Sequence, residues 1–153
     1  MSRLARQLAR FRALSGPDRR ALLVAAVWMP IFWLGLRFLG LPRFQARLQR
    51  SKAPVNTAMT LPDIQAIGQL VNIAASHTLG PRTCLTRSLV LGWLLRRRGV
   101  ESQLRIGVRL NQGALDAHAW VEWEGVPVND QPEVCARFAS FGDIVPLEAF
   151  QAP

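Results

Sequence analysis

Several things this chain has little of narrow what it can be. Among its 153 residues are two cysteines, Cys84 and Cys135, and two histidines, His77 and His118. None of the four stands close to another in sequence, so the paired spacing of a structural zinc site is missing and no metal is expected. Two cysteines without an N-terminal secretory signal do not make a disulfide scaffold, although a Cys84–Cys135 bridge stays open. The better reading is a reduced, cytoplasmic chain with one reactive thiol. There is no glycine-rich phosphate loop, and hence no expectation of a nucleotide or other cofactor bound by this chain. Internal repeats and low-complexity tracts are absent too. Acid is scarce at one end only: residues 1–52 carry eleven basic side chains against a single acid, Asp18, a net charge of +10. Residues 53–153 carry eight basic and nine acidic side chains, a net −1. Basicity therefore belongs to the N-terminal segment, and no nucleic-acid partner is expected of the remainder. With 50% apolar residues the chain is not disordered, and it is long enough to bury one core.

The apolar residues are patterned. From Met1 to Leu14, arginines 3, 6 and 10 interleave with Leu4, Leu8, Phe11 and Leu14, the spacing of a basic amphipathic helix. Ser15-Gly16-Pro17-Asp18 ends it and caps the next segment. Ala21 to Leu36 is then apolar throughout, with Pro30 in the middle, where a kink is expected. The run falls short of the ~20 residues a spanning helix needs. Three readings compete for it: a buried helix of the fold, an anchor on the inner membrane surface, and a docking face for a protein. Residues 45–60 read as irregular, with Ser51-Lys52-Ala53-Pro54 as linker. This divides the chain into an N-terminal basic and apolar helical segment, 1–53, and a core, 54–153.

Within that core, Leu61 to about His77 is a helix with Ile64, Ile67, Leu70, Val71 and Ala74 on one face. Gly80 and Pro81 then break the chain, with Thr83 or Arg82 at the cap of a second helix that starts at Cys84. Three arginines, 96 to 98, fill its last turn, and Gly99 supplies a left-handed terminus. It is apolar almost all round, as a central buried helix is. After Gly99 the period changes to two. Leu104, Ile106, Val108 and Leu110 mark a strand, Asn111-Gln112-Gly113 a turn, and Ala117–Trp123 and Val126–Asp130 two further strands about Glu124-Gly125. The fold class is α+β, a cysteine-bearing helix packed on an antiparallel sheet bearing His118 and Asp130.

A thiol in the first turn of a helix meets unpaired N–H groups and the positive end of the helix dipole. Both favour the thiolate, which is the nucleophilic form. His118 and Asp130 are the residue types such a nucleophile recruits as base and orienter. If the hairpin is centred on Glu124, His118 faces Asp130 and Trp120 faces Val128; a two-residue Glu124-Gly125 loop shifts the partners by one. In either register imidazole and carboxylate are neighbours, directly opposed Cβ atoms being ~5 Å apart. The face holding His118, Trp120, Val128 and Asp130 is expected to pack on the Cys84 helix. Cys84 would then attack a carbonyl, His118 carry the proton, and Asp130 hold the imidazole, with the Cys84 amide as an oxyanion donor. The order Cys, His, Asp is that of papain-like enzymes.

Each of these residues also has a plain structural reading. A free cysteine is commonly just buried, a strand histidine structural, and Asp130 beside Asn129 could close a turn. Cys135 reads as a small buried hydrophobe and His77 as the end of a helix. Asp116 is a rival orienter in the same strand as His118, and the weaker one.

Taken together, Cys84-Leu85-Thr86-Arg87-Ser88-Leu89, Ile106-Gly107-Val108, Ala117-His118-Ala119-Trp120-Val121-Glu122 and Pro127-Val128-Asn129-Asp130 resemble the transglutaminase-like cysteine peptidases of lasso-peptide biosynthesis. The standalone leader peptidases of those bacterial pathways (the B2 type) are the nearer likeness, over roughly Leu61 to Phe141. The resemblance implies a transglutaminase-like, papain-like core with Cys84, His118 and Asp130 catalytic. It implies removal of the leader from a ribosomally made precursor peptide, freeing an amine for a partner cyclase. A separate leader-recognition protein would present the substrate, and any ATP requirement of the processing complex would lie with a partner. Acyl transfer or deamidation by the same triad is one alternative. A non-catalytic, membrane-associated binding module is the other.

Overall fold

A computed structural model describes residues 11–49, 58–77 and 83–141. In chain order these form α1 (Gly16–Gln49), α2 (Leu61–His77), α3 (Cys84–Arg97), β1 (Gln103–Asn111), β2 (Ala114–Trp123), β3 (Val126–Pro127), α4 (Val134–Arg137) and β4 (Ala139–Ser140). The strands make one four-stranded sheet in the order β3-β2-β1-β4, antiparallel throughout. Helices against an antiparallel sheet give the α+β class expected. Most of the expected N-terminal amphipathic helix, the linker Ser51–Pro54 and the Gly80–Arg82 break lie outside the described residues; residues 11–13 are helical.

Local chemistry sets the helix ends. Ser15 caps α1, its Oγ accepting the Asp18 amide at 3.2 Å while its carbonyl accepts the Arg19 amide at 2.9 Å. At Pro30, where a kink is expected, the backbone stays helical. The helix runs through Pro30 and breaks at Gly40, which takes φ 71° and ψ 163°, a conformation that residues with a Cβ avoid. Met29 and Phe32, on either side of the proline, are both buried in the core. Beyond Gly40 the chain doubles back so that Phe44 meets Phe32 edge-on, centroids 5.0 Å apart. Residues 45–49, expected to be irregular, continue this helical segment. At the start of α2, the amide and hydroxyl of Thr60 both donate to Asp63 Oδ2, at 3.0 and 2.6 Å. These bonds hold the Asp63 carboxyl below its usual range.

α3 begins at Cys84 with Thr83 as its cap, Oγ1 accepting the Thr86 amide at 3.1 Å. It ends as the Gly99 reading requires: the Val100 amide reaches the Leu95 carbonyl at 3.0 Å and the Gly99 amide that of Arg96 at 2.9 Å, with Gly99 at φ 78°. One apolar cluster joins Ala25, Met29, Phe32 and Phe44 of α1 to Ile64, Ile67, Val71 and Ala74 of α2 and to Leu89–Leu91, Leu94 and Leu95 of α3. Trp28 and Trp93 meet at 4.7 Å in the same seam.

The hairpin between β2 and β3 takes the two-residue loop, Trp123 pairing with Val126 across Glu124 (φ 49°) and Gly125 (φ 79°). In this register the Val128 amide bonds the Val121 carbonyl at 2.9 Å. That corrects the expected face. Val121 and Val128 join the helix-facing core, whereas Trp120 packs on the other side with Val134 and Phe138. His118 and Trp120 lie on that second side of β2, beside Phe138, and His118 meets the start of α3 through Asp130, which Arg87 also approaches. β3 also ends at Pro127, so Asp130 stands beyond the ladder rather than within a strand.

Candidate active site

Cys84 is the first residue of α3 and is half-buried. The amides of a helix's first turn lack intrahelical acceptors, so the thiol sits beside open N–H groups. Arg87 and Ser88, three and four residues on, share its side of the helix. Ser88 is fully buried and donates its Oγ to the Ala119 carbonyl at 3.0 Å, locking α3 to the residue after His118.

Asn129 fixes the other half of the site. Its side chain accepts the Val121 amide at 2.8 Å and donates to Ser88 Oγ at 3.1 Å, and its carbonyl accepts Asn72 Nδ2 at 3.0 Å. It thus ties β2, α3 and α2 together from a site that is 2% exposed. Gly68 lets α2 come that close, since any Cβ there would overlap the Val128 carbonyl. The next residue, Asp130, is placed by these ties. One carboxylate oxygen accepts the Gln131 amide at 2.8 Å, and the other lies 2.6 Å from His118 Nε2 and 3.8 Å from Arg87.

The His118 ring is held between neighbours, 5.0 Å from Phe138 at 30° and 6.2 Å from Trp120 at 21°. With Nε2 facing Asp130, Nδ1 is the nitrogen left to exchange a proton with a thiol. The structure therefore brings His118 and Asp130 together. It puts Cys84 one turn before Ser88, on the helix side that touches Asp130 and Ala119. Among the described residues, no hydrogen bond joins Cys84 Sγ to His118.

Around the pair, this side of the sheet combines the Trp120–Val134–Phe138 cluster with polar groups. Glu122, 6% exposed, accepts from Arg105 Nε at 2.9 Å, Trp120 Nε1 at 2.7 Å and Cys135 Sγ at 3.3 Å. Burial pushes its carboxyl up, but the bonds from Trp120, Arg105 and Cys135 outweigh it and leave the group below its usual range. Cys135 is exposed rather than a buried hydrophobe, and its thiol donates to Glu122. Partial desolvation and that carboxylate push the thiol up. Asp116 is engaged by Arg109 at 2.7 Å, not by His118. His77 is exposed at the end of α2, and no three His, Cys, Asp or Glu side chains group to hold a metal among the described residues. Sequence reasoning overlooked Arg87, Ser88 and Asn129. The first two were legible as the helical neighbours of Cys84, whereas nothing local marks Asn129 as more than a turn residue.

A helix that opens on a cysteine, docked on an antiparallel sheet that carries a carboxylate-bound histidine, holds the groups that acyl-transfer chemistry uses. The chain belongs to the transglutaminase-like superfamily, which its residues 26–142 match. No curated protein and no solved structure matches it.

Proposed function

We propose that the protein is a cysteine peptidase in which Cys84 is the nucleophile, His118 the general base and acid, and Asp130 the group that holds the imidazole. The observation that carries this reading is the 2.6 Å contact of His118 Nε2 with Asp130, on a chain of this superfamily whose cysteine opens a capped helix. In the reaction, His118 Nδ1 takes the Cys84 proton as sulfur attacks the scissile carbonyl carbon. The tetrahedral oxyanion is met by the amide of Cys84 at the helix start. His118 returns the proton to the departing amine, leaving a thioester. Water, deprotonated by the same imidazole, then attacks the thioester, and sulfur leaves to recover the thiol.

The substrate that fits best with the resemblance at Cys84–Leu89, Ala117–Glu122 and Pro127–Asp130 is the leader of a ribosomally made lasso precursor peptide. In this reading the chain is the standalone B2-type leader peptidase. A separate recognition protein presents the leader, a cyclase takes the freed amine, and any nucleotide is consumed by a partner. The test incubates the full chain with the precursor peptide and recognition protein encoded beside it, followed by mass spectrometry. Release of an intact leader by the wild type, and none by Cys84→Ala, is the expected result. A joined or deamidated product would assign transfer or deamidation instead, and cleavage retained in Cys84→Ala would overturn the mechanism.

A further inference from the structure

α1 has two apolar sides. Ala21, Ala25, Met29 and Phe32 form the stripe that enters the core, each at most 5% exposed. On the opposite side Leu23, Val27, Ile31, Leu34 and Phe38 are 44–80% exposed. At 3.6 residues per turn these five fall within an arc of about 80°, a continuous stripe along the segment before Gly40. Exposed arginines frame it: Arg12, Arg19 and Arg20 near its start, and Arg37, Arg43 and Arg47 near its end, with Asp18 the only acid on the helix. By length and composition α1 is also the one candidate membrane span among the described residues.

We infer that α1 docks the protein on an anionic lipid surface, lying in the interface with its exposed stripe in the acyl boundary and its arginines at the headgroups. The charge pattern selects this occupant. An apolar stripe bordered at both ends by arginine complements phosphate headgroups, as a basic amphipathic helix does. Crossing the bilayer would require Ala21, Ala25, Met29 and Phe32 to leave the core, and with them the packing of Phe32 on Phe44 and Trp93. Lying flat requires no such loss, because the half facing lipid is the half already exposed.

The experiment uses the full chain with sucrose-loaded vesicles of phosphatidylcholine alone, or with about one third phosphatidylglycerol. At low salt the wild type is expected to partition at least about tenfold more strongly onto the anionic vesicles, with the difference shrinking as salt is raised. Val27→Gln/Phe38→Gln should weaken that binding at least about tenfold while circular dichroism and melting temperature stay as in the wild type. Arg19→Gln/Arg37→Gln should narrow the gap between the two vesicle types, and it serves as the second variant if the first melts early. Three results would overturn the inference: no partitioning by the wild type, partitioning that both variants retain, or a dimer that the apolar variant disrupts in place of vesicle binding.

Discussion

On the helix-facing side of β2, the side chains of Ala119 and Val121 are apolar and at most 2% exposed, and they are held by packing, while Ser88 and Asn129 bond only their backbone. On the other side of the same strand, Asp116, His118, Trp120 and Glu122 each meet a specific partner: Arg109, Asp130, Phe138 and Arg105. One strand therefore carries two kinds of order. Apolar packing tolerates small readjustment but fails through lost volume, whereas paired polar groups fail through one missing atom. The first side fixes where α3 and its cysteine sit, and the second fixes the orientation of the imidazole.

Substitutions should separate these two kinds of order. The largest effect expected is on the outward side, where His118→Ala lowers peptide turnover at least ~10³-fold with an unfolding midpoint close to wild type. A variant that instead unfolds early would show that His118 serves packing. Asp130→Asn keeps the shape but changes which imidazole tautomer the carboxamide favours, and turnover should fall about 10²- to 10⁴-fold. On the helix side, Gly68→Ala should cost ~1–3 kcal/mol in urea unfolding, as α2 is pushed off Val128, with turnover falling because Asp130 shifts. Full stability in that variant would mean that the close approach carries no constraint.

The pH dependence sharpens the contrast. The Glu122 carboxyl lies below its ordinary range in the folded chain, so its contribution is complete above the unfolded value. As pH falls the unfolded state binds the proton first, and the contribution is lost as pH drops through the folded value. Glu122→Gln should remove this acid-side slope and cost about 1 kcal/mol near neutrality, read from urea midpoints between pH 3 and pH 7, roughly the carboxylate titration range. The smallest effect belongs to Cys135→Ala: turnover within about twofold and stability within about 0.5 kcal/mol of wild type, since one exposed donor to Glu122 is lost.

Where a structural decision rested on a side chain next to the backbone it capped, it could be read from the sequence. Thr83 before Cys84 and Gly99 after the arginines each act within a turn. The α+β class followed from the change of period after Gly99. The hairpin register did not follow, because Glu124 takes a positive φ that its residue type does not advertise, and both turn lengths were open. That single residue sets which β3 residues lie opposite β2. Pro30 attracted the expected kink because its lost hydrogen bond is a local fact, while the break at Gly40 serves the distant contact of Phe44 with Phe32. An apolar run such as Ala21–Leu36 does not say which of its sides will be buried. Nor could sequence show that Asn129 would join three elements, since Asn72, Ser88 and Val121 are its neighbours only after folding.

The ties of Asn129 also order events in time. Residues 72, 88 and 121, which hold it, all precede it in the chain. Synthesis runs from the N-terminus, so α3 and its thiol leave the ribosome well before the carboxylate that meets His118. For most of that interval the growing polypeptide carries the sulfur alone, since His118 precedes Asp130 by only twelve residues. The carboxylate is thus the last of the three groups to be synthesised, and a chain that stops short of residue 130 lacks it.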